Sequence, residues 1–152
     1  MSGEQALPRG RVLAVCTSER KGTRKRNVGE AELRPDWGIV GDAHAADWHR
    51  QVSLLAWESI EKMRALGLNV NTGSFAENIT TEGISLVDLP VGTRLRLGKT
   101  VVEVTQIGKE CHSRCAIYAQ AGDCVMPREG IFVRVHKGGR VRAGDEIAVE
   151  AD

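Results

Sequence analysis

Aromatic residues are scarce, at 4% of 152 residues, so the chain has few of the platforms on which single-stranded nucleic acid stacks. Net charge is nearly absent as well: at +1, no global field draws the protein to nucleic acid or to a membrane surface. No apolar run approaches the ~20 residues that a membrane-spanning helix needs. The start, Met1-Ser-Gly-Glu-Gln-Ala-Leu-Pro-Arg-Gly10, has no apolar core of the signal-peptide kind. These absences predict a cytoplasmic protein with neither nucleic acid nor membrane as partner. In that compartment the four cysteines are expected as thiols or metal ligands rather than disulfides. Repeats, low-complexity tracts and linkers are missing too.

What is present describes one ordinary domain. Hydrophobic residues make up 41% and charged residues 27%, as in globular proteins. The length suits a single core, with residues 1–9 as a tail and 10–152 as the domain. Seventeen glycines punctuate short β-rich runs, which predicts a strand-dominated fold with tight turns. Strands are expected at 11–17, 31–33, 39–40, 76–80, 85–87, 93–97, 100–107, 131–135 and 146–149. One helix is expected at 53–66, with Ser53 as N-cap and Gly67 as the stop. Ala56, Trp57, Ile60 and Met63 share one face of it, and Glu58 and Lys62 form an i,i+4 pair. A short helix at 115–121 completes the pattern. About eight short strands with one good helix favour a closed or nearly closed β-barrel, because closure removes exposed edges.

Chemistry concentrates in two places. The first follows the strongest predicted strand and carries Cys111, His112, Cys115 and Cys124, with Lys109 and Arg114 beside the thiols. A thiolate is a nucleophile and a soft ligand, and adjacent positive charge lowers the pKa at which it forms. The Cys111-x-x-x-Cys115 spacing is not that of zinc ribbons or thioredoxin-like motifs. If the segment is helical, however, Cys111, Cys115, Cys124 and a histidine could hold a structural zinc. Cys16 and Cys124 read as small buried hydrophobes. Cys111 is the best candidate for a reactive thiol, with Cys115 next.

The second place is the loop Gly41-Asp-Ala-His-Ala-Ala-Asp-Trp-His-Arg-Gln51. Arg50 can grip a phosphate or carboxylate with two prongs, and Gln51 offers both donor and acceptor. Composition alone favours a plainer reading, a polar turn that caps the helix. Glu77 and Asn78 fall on opposite faces of a predicted strand, where they read as a solvated edge. The basic run at 21–26 reads as a solvated loop that can form an electrostatic lip over an anionic ligand.

Taken in order, these blocks resemble the MOSC family, whose domain forms the C-terminus of molybdenum-cofactor sulfurases. The blocks are Gly-Ile-Val-Gly41-Asp42-Ala-His44, Arg50-Gln51-Val-Ser-Leu-Leu55 and Gly73-x-Phe-Ala-Glu77-Asn78-Ile. Leu89-Pro-Val-Gly92, the cysteine segment, Gly130-Ile-Phe and Gly138-Gly139…Gly144-Asp145 follow them. The resemblance spans roughly residues 10–149 and implies a β-barrel with a cleft that binds molybdenum cofactor. An essential cysteine there, Cys111 or Cys115 according to which branch is matched, carries sulfur or ligates molybdenum. Asp42, His44, Arg50, Gln51, Glu77 and Asn78 would line the cofactor side. The implied activities are sulfur or cofactor transfer, or molybdenum-dependent reduction of N-hydroxylated compounds. Implied partners are a sulfur donor, a molybdoenzyme or an electron-transfer protein. No pyridoxal-phosphate site is expected in these residues. One departure is Ala46, where close relatives usually carry glycine; a positive φ there would strain alanine.

Overall fold

In the computed structural model, residues 7–21, 23–108 and 129–150 are described. The strands are β1 (Arg9–Thr17), β2 (Arg26–Asn27), β3 (Glu30–Arg34), β4 (Gly38–Ile39), β5 (Val52–Ala56) and β6 (Ile79–Glu82), then β7 (Arg94–Leu97), β8 (Thr100–Ile107), β9 (Ile131–Lys137), β10 (Gly139–Arg142) and β11 (Glu146–Val149). One helix, α1 (Trp57–Ala65), and one 3-10 turn, Leu86–Asp88, complete the described elements.

Seven strands close on themselves in the order β11-β7-β8-β9-β5-β6-β1, with β1 pairing back to β11 and β2 hanging from β1. Alternation explains most of the wall: in β7, Leu95 and Leu97 point inward and are fully buried, while Arg94 and Arg96 face water. Val102 and Val104 of β8, Val133 and Val135 of β9 and Val12 of β1 fill the same interior. A second sheet, β10-β3-β4, lies against the barrel and adds Leu33, Ile39 and Val141 to that core.

The pair β5–β6 is parallel, unlike the rest of the barrel. Parallel neighbours need a crossover, and α1 supplies it. Its Ile60 and Met63 pack with Leu55, Phe75 and Phe132 in a smaller cluster on the barrel's outer face.

The barrel is as expected, but the helix is shorter than its sequence pattern. Residues 52–56 form a strand flanked by β6 and β9, so Ser53 caps nothing and the N-cap is Ala56. A run buried on both faces has no alternation by which to tell strand from helix. Gly67 ends the helix as predicted, at φ 91°. The Glu58–Lys62 pair is not made: Glu58 accepts from the Gly83 N–H, and Lys62 grips Glu129. Where a strand was expected at 85–87, Leu86–Asp88 form the 3-10 turn with Ser85 before it. The helix expected at 115–121 lies outside the described residues.

Candidate functional site

The loops at one end of the barrel are tied down by a buried ion pair. Lys25 is 4% exposed; its Nζ donates to Asp42 Oδ1 and Ser18 Oγ, each at 2.9 Å, and lies 3.1 Å from His44 Nδ1. Ser18 passes its own hydroxyl proton to the Arg20 carbonyl. Asp42 is filled from the other side, with Oδ1 accepting from the Ser18 N–H and Oδ2 from the His44 N–H. Burial pushes the Asp42 carboxyl up, but the Lys25 hydrogen bond and charge, with the two N–H groups, outweigh it. The net result lies below the usual carboxylate range. Lys25 was hidden in the sequence because it sits in a basic run whose other described residues, Lys21, Thr23, Arg24 and Arg26, are exposed.

From Asp42 the loop runs to the rim. His44 keeps 24% of its side chain exposed, and its carbonyl accepts from Trp48 Nε1 at 2.8 Å. Lys21 lies 5.0 Å from the centre of the Trp48 ring. The Trp48 ring meets His49 edge-on, and His49 Nε2 lies 3.0 Å from Gln106 Oε1. Arg50 Nε donates to the same oxygen at 3.0 Å, while its guanidinium rests 5.2 Å from the centre of the Phe132 ring. Gln106 reaches these groups because β8 and β9 slip register between Val104 and Gln106; such a bulge re-aims the side chains after it.

Three residues expected on the cofactor side work from beneath. Glu77 and Asn78 precede β6 rather than lying on a strand edge, and both are fully buried. Glu77 accepts from the N–H groups of Gly73 and Phe75 and from the Thr80 hydroxyl; burial outweighs these bonds and raises its pKa. Asn78 clamps β5 to β1, accepting from the Ser53 N–H and donating to the Cys16 carbonyl. Gln51 is fully buried and accepts from the Val135 N–H, and its Nε2 has no partner among the described residues. The structure therefore brings His44 and Arg50 to one rim and sets Asp42, Gln51, Glu77 and Asn78 behind it.

Local backbone explains the Glu77 turn. Gly73 has φ +79°, and a Cβ there would meet the Lys25 carbonyl oxygen at 2.1 Å, so only glycine fits. Ala76 is held at φ 62°, a left-handed conformation that is unfavourable for alanine. Ala46 has no positive φ, so the departure noted there brings no such strain.

Beside Lys25, a cleft of about 610 Å³ lies between Gly41 and residues 17–26, with Arg20, Arg24 and Arg26 on its wall. A second cleft, of about 580 Å³, lies between α1 and residues 83–87. Its polar and charged groups are already engaged, Lys62 and Ser59 with Glu129 and Glu58 with the Gly83 N–H.

Of the thiols, Cys16 is described. It is fully buried, and burial, then the charge of Glu77, pushes it up to about 12, so it is no nucleophile. Cys111 and Cys115, the expected catalytic thiols and molybdenum ligands, lie outside the described residues, as do His112 and Cys124. Among the described residues no group of three or more metal-ligating side chains comes together, and no helix is long and apolar enough to cross a membrane. The ends of the segment that carries those cysteines are described, however. Ile107 pairs with Ile131, and the Gly108 N–H donates to the Gly130 carbonyl at 2.6 Å. The segment thus leaves and rejoins the barrel beside Gln106, Arg50 and His49.

The MOSC domain family model matches residues 41–148. The YUAD protein of Bacillus subtilis is similar in structure, with a TM-score of 0.78 at 16% identity over 95% of this chain and 97% of that one. YiiM of Geobacillus stearothermophilus gives 0.68 at 15% identity, over 93% of this chain and 75% of that one. YiiM of Escherichia coli gives 0.66 at 20% identity, over 95% and 70%. Curated protein sequences give no match. With the matched family model covering most of the chain, this protein belongs to the MOSC family.

Proposed function

We propose that this protein binds molybdenum cofactor and handles it, or its sulfur, through a cysteine in the segment after β8, Cys111 or Cys115. The observation that carries this reading is the rooting of that segment at the Gln106–Arg50–His49 rim. Membership of the MOSC family is the second support.

The residues present fit an anionic, heteroatom-rich ligand. Arg50 is held by Gln106 and Phe132, and its two terminal nitrogens, which make no hydrogen bond among the described residues, suit a phosphate or carboxylate. His44 and His49 stand along the same rim, and Arg20, Arg24 and Arg26 line the adjoining cleft. Asp42, Gln51, Glu77 and Asn78 hold the loops that present these groups. When bound, the cofactor would supply a molybdenum centre for oxygen or sulfur exchange. The chain's own part is to bind the anionic end, fix the loops and offer a thiolate, whose softness suits that metal. As a carrier the protein would meet a sulfur donor and a molybdoenzyme; as a reductase subunit it would meet an electron-transfer protein, in the cytoplasm in either case.

Metal content decides the reading. The protein is purified from a host that makes molybdenum cofactor, and molybdenum and zinc are measured per chain, together with Cys111→Ser and Cys115→Ser. Near-stoichiometric molybdenum, lost in one variant, is the expected result. Stoichiometric zinc without molybdenum would replace this reading with a structural zinc held by Cys111, Cys115, Cys124 and a histidine. Neither metal in any sample would remove stable cofactor binding and leave the sulfur carrier alone.

A further inference from the structure

We infer that the basic lip around Arg20, Arg24 and Arg26 is a docking surface for an acidic segment of a partner protein, with Leu66 as its apolar contact. Net charge is only +1, so a cluster of unmatched cations is a local feature rather than general basicity. Arg20, Lys21, Arg24 and Arg26 are all exposed. None of them has an ion pair among the described residues, although Glu19 lines the same cleft. Many cations on the barrel wall and second sheet are matched instead. Arg9 and Arg96 share Glu146, Arg11 meets Glu82, and Arg140 and Arg142 share Glu30.

Shape selects the class of anion. Arg24 lines two clefts, the one of about 610 Å³ formed with Gly41 and residues 17–26, and another of about 490 Å³ formed with Leu66–Asn69. A small oxyanion would occupy one and leave the other empty, whereas an extended acidic chain can lie across both. Leu66 is 63% exposed, and an apolar side chain beside arginine is a combination that protein interfaces use. None of the described residues that line either cleft carries a ring, so a nucleic-acid strand would find charge there without a stacking platform. The lip is also held before a partner arrives. Arg26 pairs with Thr17 across β2 and β1, and the Lys25 N–H donates to the Gly73 carbonyl at 2.8 Å. The Ser18 and Thr23 hydroxyls both donate to the Arg20 carbonyl. A surface fixed in this way loses little freedom on binding.

The lip adjoins the rim through Lys21, which lies over Trp48, whose ring meets His49. That the docked partner exchanges sulfur or electrons there rests on the reading above; the acidic docking surface does not. The test is fluorescence anisotropy of a fluorescein-labelled peptide of alternating glutamate and leucine, titrated with the full chain at low salt. The peptide should bind, and its binding should weaken steeply as salt rises. The triple variant Arg20→Glu, Arg24→Glu, Arg26→Glu should lose at least about tenfold in affinity, and Leu66→Ser roughly threefold, as a partly buried leucine implies. The same reversal at Arg94, Lys99 and Lys137, exposed cations outside both clefts, should change little, and circular dichroism melts check that each variant is folded. Four results would overturn the inference: no binding at low salt, an equal loss in the second triple variant, equal affinity for oligothymidylate of the same charge, or displacement of the peptide by equimolar pyrophosphate. None of these readouts involves molybdenum. A chain that binds the peptide but no molybdenum keeps the docking surface and loses the proposed cofactor, and the converse result does the reverse.

Discussion

Replacing Lys25 by methionine removes a cation of similar length from a site with no solvent access, and its effect can be worked from the contacts. Asp42 would remain buried without its partner, a loss that runs at about 3–5 kcal/mol for buried pairs. Ser18 Oγ also loses its donor, adding on the order of 1 kcal/mol. Together that is about 5 kcal/mol, a large share of the 5–15 kcal/mol typical of a whole domain. At about 2–4 °C per kcal/mol for a chain of this size, the melting midpoint should fall by roughly 10–20 °C. Urea and thermal unfolding of Lys25→Met, Asp42→Leu and the double variant would measure it. The double variant, with neither charge, should recover most of the loss, since an apolar pair replaces a buried ion pair at little net cost. An acid arm checks the same pair. Asp42 is held below the usual carboxylate range, so its contribution is present above about pH 4 and is lost as pH falls toward its folded value. The acid-side slope should therefore be shallower in Asp42→Asn than in the wild type. A Lys25→Met variant within about 1 kcal/mol of wild type would refute the reasoning, because that is the behaviour of a solvated pair.

Three further outcomes follow from the same contacts. Cys16, buried and pushed up to about 12, should stay unalkylated by iodoacetamide in native protein at pH 8 and react fully in urea; rapid native labelling of its peptide would show that β1 opens there. The Glu77 carboxyl is raised by burial, so the fold favours its protonated form below about pH 4 and loses that contribution as pH rises through the raised value. The stability advantage of wild type over Glu77→Gln should thus shrink with rising pH; an advantage that grows would mean the three hydrogen bonds outweigh burial. Ala76→Gly should be stabilising or neutral, by up to about 1 kcal/mol, since it relieves a left-handed alanine, whereas Gly73→Ala should leave little folded protein because its Cβ meets the Lys25 carbonyl; circular dichroism melts of the two variants that moved the opposite way would contradict the loop geometry.

Much of the barrel was legible because its strands bury one face. Val102 and Val104 alternate with half-buried Val101 and Glu103 in β8, and Leu95 and Leu97 alternate with arginines in β7. Where alternation stops, legibility stops: Val52–Ala56 is buried on both faces and read as the start of a helix. Asp42, His44 and Arg50 stood out as a polar loop before an apolar run. Lys25 did not, because Lys21, Arg24 and Arg26 made it one basic side chain among four, and only the fold places Asp42 beside it. Glu77 was misplaced for a conformational reason. Gly73 and the left-handed Ala76 turn the chain inward just before β6, and no alternation rule for strands applies to such a turn.

The barrel treats its ionisable groups in two ways, and the contrast bears on where thiol chemistry can occur. Inside, burial dominates: it lifts the Cys16 thiol to about 12 and raises Glu77, and it is overcome at Asp42 with the help of the Lys25 ammonium 2.9 Å away. A thiol placed among these groups, without its own cation, would stay protonated at neutral pH. The rim differs. There Arg50 and His49 share the Gln106 oxygen, at the point where β8 ends and β9 begins. A cysteine brought to that rim would have a guanidinium and water to stabilise its thiolate, the conditions under which thiols become reactive. Cys111 and Cys115 belong to the segment rooted there, and each carries a basic neighbour in sequence, Lys109 and Arg114. The sulfur chemistry proposed for this protein thus depends less on the identity of one cysteine than on its delivery to the wet, cationic end of the barrel.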